Sequence, residues 1–264
     1  MKRCQHLRYW VLGLSLASIL TWIGCVTNEA GRSQLMLVSQ ADEMQLGLNS
    51  FAQLKKDTPI SQDPAANEMV RRVGERIKSV VKLDGAQWEF VVFESKEANA
   101  FCLPGGKIGV YTGILPIVKD DAGLATVLGH EVAHATLHHG AERMSRAMAL
   151  SKVGEGLGSL VDAKKPEYTQ AFGQLYGIGT TVTLELPHSR SQESEADKMG
   201  LFHMARAGYD PEESVHFWER FSAYAKAQGA GKPNRWLSTH PDDGTRIKQL
   251  KELMPEAKKI YHPQ

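Results

Sequence analysis

The chain has 264 residues, 42% of them hydrophobic, and a formal charge of +1. That is long enough for one large domain with its own core, and no composition break demands two. The balanced charge excludes a nucleic-acid binder that works through a basic surface.

Residues 1–8 carry Lys2, Arg3 and Arg8 with no acid, and residues 9–23 are apolar apart from a few hydroxyls, the layout of a secretory signal. Gly24-Cys25 then resembles a bacterial lipobox, with Trp22 standing where Leu is usual, so Cys25 is the expected lipid-modified first residue. An uncleaved anchor and ordinary signal cleavage are the alternatives, although the apolar run is short for a spanning helix. The expected organisation is a signal peptide over 1–24, a lipidated linker over 25–32 and a single domain over 33–264. Val26 follows the Cys where inner-membrane lipoproteins commonly carry Asp, which points to a bacterial periplasmic protein anchored to the outer membrane. Loss of residues 1–24 takes the formal charge from +1 to −2 and leaves Cys102 as the lone unmodified thiol, so no internal disulfide is expected.

Apolar residues over 33–54 recur at helical spacing and predict a long amphipathic helix containing Gly47. Asp63 and Pro64 suit the N-cap and first position of a second helix through Ile77, and both helices are expected to brace the helix over 122–140. Residues 88–93 read as a strand, and 108–112 as another preceded by the Gly105-Gly106 turn of a hairpin. The result is a small sheet, one edge of which can border a cleft.

Leu124, Val127, Leu128, Val132, Ala135 and Leu137 predict a mostly buried helix, capped by Asp120 or Asp121 and ended by Gly140. Inside it lies His130-Glu131-Val132-Ala133-His134. Residues four apart share a helical face, so both imidazoles can meet one metal ion, and the geometry suits zinc. Glu131 lies beside the site but outside the ligand set, where a carboxylate can take a proton from a water activated by the metal. A surface pair or satisfied core histidines is the bland reading, and a buried apolar helix makes it costly. His138 and His139 follow too far along a straight helix to complete a tetrahedral site and are left outside it.

Beyond Gly140 the chain stays helical, becomes glycine-rich over 154–158, and passes a loop over 161–166. A helix from about Ser189 ends at Gly208, Asp210-Pro211 opens another, a polar loop covers 228–234, a turn holds Ser238-Thr239-His240-Pro241, and a last short helix spans 242–254.

Four segments in this order resemble the metalloendopeptidase family of the CAAX-prenyl endopeptidases, metallopeptidase family forty-eight. They are 99–106, the extended 124–134 segment, Ser189-Arg190 with Glu193-Ser-Glu-Ala-Asp197, and Ser238-Thr-His-Pro241 with Arg246-Ile247. The likeness is greatest to the soluble periplasmic branch, without the helical-repeat domain some members carry. It implies an α+β, mainly α-helical, zincin-like single domain with a small β-sheet beside the H-E-x-x-H helix. It also implies one Zn2+ per chain, held by His130, His134 and Glu193. Asp197, one turn beyond Glu193, can accept the distal N–H of a ligand His, whereas Glu195 points to another face.

The expected chemistry is hydrolysis of peptide bonds, with Glu131 as base and Arg246 and His240 as candidate donors to the developing oxyanion. His240 is open to three readings: a latch on the metal, a transition-state contact, or a packing residue beside Trp236. The expected partners are polypeptides, misfolded or unassembled envelope proteins, aligned by strand addition along the sheet edge, together with a membrane reached through Cys25. The competing class is a zinc-stabilised chaperone or binding module without turnover.

Overall fold

The computed structural model describes residues 24–155, 188–228, 236, 239–240 and 244–263. The expected signal segment to Ile23, the glycine-rich stretch from Gly156, the 161–166 loop and the loop from 229 to 234 lie outside the described residues.

The first described element differs from the expected linker and helix. Strands β1 (Cys25–Thr27) and β2 (Ser33–Leu35) form an antiparallel hairpin, with Cys25 opposite Leu35 and Thr27 opposite Ser33. Helix α1 (Gln40–Asp57) begins only after Ser39, whose Oγ accepts from the Asp42 N–H at 3.1 Å. Ser39 is an N-cap in extended conformation, and the apolar spacing upstream of it belongs to a strand whose Gln34 is 2% exposed. Helix α2 (Pro64–Lys78) starts as expected, with Asp63 Oδ1 accepting from the Ala65 N–H at 2.9 Å.

Strands β3 (Glu89–Phe93), β4 (Ala100–Leu103) and β5 (Lys107–Tyr111) make a sheet in the order β3-β5-β4. β5 runs parallel to β3 and antiparallel to β4, and Gly105 and Gly106 make the tight turn with φ of +85° and +74°. Alternation then divides the core. Val92, Ala100, Cys102, Ile108 and Val110 face α2 and the histidine helix, while Val91, Phe93, Phe101, Leu103 and Tyr111 pack with Leu46, Phe51 and Leu54 of α1. α1 therefore lies across the sheet from the site, and α2 alone of the two braces the histidine helix directly.

A 3-10 turn (Thr112–Ile114) and the short α3 (Leu115–Val118) lead to α4 (Asp121–Thr136), where Asp120 Oδ1 accepts from the Gly123 N–H at 2.9 Å. Every residue from Gly123 to Thr136 is buried, so this helix has no solvent face. It stops before Gly140: Leu137 caps it, His138 takes a left-handed φ of +55°, and α5 (His139–Glu155) begins at the next residue. α6 (Arg190–Arg206) opens with a capping box between Ser189 and Gln192. α7 (Glu212–Gln228) and α8 (Arg246–Ile260) follow, α8 starting later than expected and running on through Pro255. The architecture is α+β and mainly helical, and no helix among the described residues is long and apolar enough to cross a membrane.

One close approach sets the site. A Cβ on Gly129 of α4 would stand 2.7 Å from the Gly200 carbonyl oxygen, and one on Gly200 of α6 would stand 2.7 Å from the His130 nitrogen. Two glycines facing each other let the helix axes approach until side chains one or two turns along α6 reach the histidines of α4.

Candidate active site

His130 and His134 point their Nε2 atoms at each other, 3.0 Å apart, from consecutive turns of α4. Glu193, in the first turn of α6, closes the third side: Oε2 lies 3.6 Å from His130 Nε2 and Oε1 lies 3.4 Å from His134 Nε2. His240 brings a fourth donor, and one ligand atom from each of these four residues lies within 4.8 Å of the others. Zinc with nitrogen and oxygen ligands at 2.0–2.1 Å in a tetrahedron holds its donors about 3.3 Å apart. The spacings between His130, His134 and Glu193 bracket that value. Glu193 Oε1 and His240 Nε2 are also buried without a hydrogen-bond partner, the condition of atoms that a cation would satisfy. The residues present fit zinc.

Behind the donors stands a layer of charge. Asp197 Oδ1 faces His130 Nδ1 at 3.0 Å, and because a carboxylate only accepts, Nδ1 carries the proton and Nε2 keeps its lone pair for a metal. Arg246, the first residue of α8, donates from Nε to Asp197 Oδ2 at 2.6 Å and from Nη2 to Glu193 Oε2. Its guanidinium lies 3.8 Å over the Trp218 ring, which stacks in turn on Trp236. Two of Arg246's donors thus hold carboxylates, while its Nη1 is buried without a hydrogen-bond partner.

Glu131 is 2% exposed, on the same helix but outside the donor triangle. The Trp236 indole N–H donates to its Oε1 at 2.9 Å, and His240 Nε2 lies 3.6 Å from the same oxygen. Burial pushes the Glu131 carboxyl up to about 7, against the opposing pull of His130 and the indole. Burial also raises Glu193, while Asp197 is held low because Arg246 and His130 outweigh its desolvation. Burial alone would lower His130, but Asp197 and Glu193 reverse the sign. For His134 and His240 burial dominates, and with positive charge from the neighbouring histidines, and from Arg246 on His240, it drives both far down, toward the neutral ligand form.

Three features escaped the sequence reading. Trp218 sits among ordinary apolar spacing and Trp236 in a largely polar stretch, with no signal that one underlies Arg246 and the other orients Glu131. His139, set aside because a straight helix would carry it off, returns after the break at His138 to place Nδ1 2.8 Å from His134 Nδ1. Glu195 indeed points away from the donors, and its Oε2 meets His139 Nε2 at 3.1 Å.

A buried H-E-x-x-H helix crossed at its glycine by a helix carrying the third donor defines a metalloendopeptidase. The chain belongs to peptidase family M48, whose model matches residues 64–254, and zinc is the cofactor that the family and the donor set require. It is 33% identical over 246 residues to the mitochondrial metalloendopeptidase OMA1 of Saccharomyces cerevisiae, covering 87% of this chain and 69% of that protein. Against the mitochondrial OMA1 of Schizosaccharomyces pombe it is 39% identical over 189 residues, 71% of this chain and 53% of that one. The β-barrel assembly-enhancing protease of Escherichia coli shares 25% over 244 residues, 89% of this chain and 50% of that protein. The chain thus spans about half to two thirds of the length of these relatives. The expectation of a bacterial periplasmic, outer-membrane protein is corrected here. It drew on the lipobox likeness and the periplasmic branch, whereas mitochondrial proteins match at higher identity than the bacterial protease does.

Proposed function

We propose that the chain is a zinc endopeptidase in which His130, His134 and Glu193 hold the metal and Glu131 is the base. Zinc bound there would act as a Lewis acid toward water and the scissile carbonyl. Glu131 accepts the proton of the attacking water and delivers it to the leaving amine, with Oε1 held by Trp236 and Oε2 left for the transfer. Asp197 and Arg246 are positioning residues: Asp197 keeps the His130 tautomer, and Arg246 anchors both Glu193 and Asp197. The observation that carries this reading is the buried Glu131 beside a buried cluster of donors, two of which, Glu193 Oε1 and His240 Nε2, have no hydrogen-bond partner. A binding module without turnover has no use for a desolvated, indole-oriented base.

Substrates are proposed to be misfolded or unassembled polypeptides bound as extended strands. β4 is one of the two edge strands of the sheet and the one packed on α4, and pairing along it would read main chain rather than sequence. Cys25, exposed and free at the start of β1, is proposed as a site of acylation and membrane attachment, tested by loss of lipid labelling in Cys25→Ser. The test of the function is cleavage of denatured casein, abolished by chelator and restored by zinc. Binding of casein with no cleavage in the zinc-loaded protein would leave the binding module standing.

His240 is proposed as a latch. Its Nδ1 side is engaged by Thr239 Oγ1 at 2.9 Å and the Trp236 carbonyl at 3.2 Å, which leaves the unpartnered Nε2 as a fourth donor. With four protein donors on the metal the water would have no place, so the loop must withdraw for turnover. His240→Ala should raise basal proteolysis. A fall at unchanged zinc content would make His240 a transition-state contact instead.

A further inference from the structure

The N-terminal hairpin lies outside the segment that matches the family, yet it is wired to the site. Arg32, just before β2, grips the fully buried Glu142 of α5 with two parallel hydrogen bonds of 2.7 Å, and its Nε donates to Glu195 Oε1. Asn28 donates from Nδ2 to Glu195 Oε2 at 2.9 Å. Glu195 faces His139, and His139 faces His134.

The proton positions along this path are set by valence. Glu195 is a carboxylate that can only accept, so His139 carries its proton on Nε2. A neutral His139 then has a bare Nδ1, which makes His134 Nδ1 the donor across the 2.8 Å contact. A neutral His134 is thereby left with a lone pair on Nε2, the atom facing His130 and Glu193. Without the carboxylate, the His139 ring can adopt the other tautomer, and the two Nδ1–H groups would then confront each other.

We propose that Arg32 and Asn28 are positioning residues for the metal ligand His134, acting through Glu195 and His139 to fix the tautomer and ring direction that present Nε2 to zinc. The inference rests on His134 being a ligand, as proposed above. It gives the hairpin a task in metal retention: the segment between Cys25 and α1 is docked on α5 and holds Glu195 against His139. His134, His139 and His188 could also be read as a second metal group, since their donor atoms cluster. In the hydrogen-bonded reading the facing Nδ1 atoms of His134 and His139 are already satisfied by each other.

The test is zinc retention in the whole chain, followed by transfer of zinc to a chromophoric chelator, with zinc content measured by atomic absorption. Outer partners of ligating histidines commonly contribute about ten- to a hundredfold in metal affinity. Arg32→Ala and His139→Ala should each speed zinc loss about tenfold or more while still reaching one zinc per chain at saturation. The double variant should be no worse than His139→Ala alone, because both act along one path. A merely structural Arg32 would add its effect to that of His139→Ala. Asn28→Ala, a milder change, serves if Arg32→Ala fails to fold, and should speed zinc loss by a smaller factor in the presence of His139 but not in its absence. Wild-type zinc loss in Arg32→Ala or Asn28→Ala, additivity in the double variant, or two zinc ions per wild-type chain would each overturn the proposal. His134→Ala separates it from its premise: full zinc content in that variant would reject the ligand reading, whereas zinc lost there but unchanged on removal of Arg32 would reject the relay alone.

Discussion

The two histidines of α4 are backed by different parts of the molecule. His130 leans on Asp197, and Asp197 on Arg246, all at most 5% exposed and all within residues that match the family model. His134 leans on His139, then Glu195, then Arg32, whose side chain is 22% exposed and lies in the hairpin ahead of that match. The same task, fixing an imidazole's tautomer, is thus met by a fully desolvated charge cluster on one side and by a graded path to the surface on the other. The buried arm is the stiffer and is costly to break, because loss of one charge strands the others in low dielectric. The outer arm can be altered with less damage to the fold, which makes it the arm through which the N-terminal segment can modulate the metal.

The largest expected effect cuts across both arms. Glu131→Gln leaves each histidine's support intact, so zinc content should hold while cleavage falls by about two to four orders of magnitude. Cleavage at the wild-type rate would remove the distinction between holding the metal and using it. Next, Arg246→Leu should destabilise the fold by about 3–5 kcal/mol, since Glu193 and Asp197 lose their shared cation. Arg32→Leu should lower the melting temperature distinctly less, and equal losses by calorimetry would break the contrast between the arms.

Gly200→Ala should cost about 1–3 kcal/mol by forcing α6 away from the His130 backbone. It should weaken zinc binding as well, because Glu193, Glu195 and Asp197 all ride on α6. A variant with wild-type stability and zinc retention would show that the crossing is looser than the two glycines imply.

The smallest effect is a shift in pH. Glu131 must be charged to act as a base, and burial raises its carboxyl to about 7, while the positive charge of a bound zinc opposes that rise. Cleavage should therefore fall as the pH drops, with the acid limb of kcat/KM at or below about 7. In the zinc-free protein the raised pKa has a second consequence. A carboxyl harder to ionise when folded favours the fold below its unfolded pKa, and that contribution is lost as the pH rises through about 7. Glu131→Gln should flatten this loss, and an unchanged stability profile would mean that the carboxyl is better solvated than its burial indicates.

Much of the fold was legible because it is local. Asp63-Pro64, Ser189 with Gln192, and Asp120 mark helix starts through contacts within three residues, and the Gly105-Gly106 turn joins adjacent strands. The misplacements share one cause. Residues 33–35 had helical spacing but became a strand because they dock on α5, and α4 ended before Gly140 because His138 accepted a left-handed turn and its ring bonded Glu43 at 2.7 Å. Neither α5 nor Glu43 lies near in the chain to the segment it fixes, although the strand's other partner, β1, does.

By itself the sequence determined that two histidines share one face of a helix, since residues four apart do so in any α-helix, and it set a carboxylate, the candidate base, beside them. The order of motifs then pointed to Glu193, Asp197 and Arg246 through the family likeness. Only the tertiary structure decided what holds those groups in place: the approach of Gly129 to Gly200, Trp236 on Glu131, Trp218 under Arg246, and the path from Arg32 to His134. Helical periodicity is a property of neighbouring residues and can be read along a chain. The tautomer of a buried imidazole is set by whatever acceptor packing brings to it, and for His134 that path ends on Arg32, 163 residues away from Glu195 in sequence.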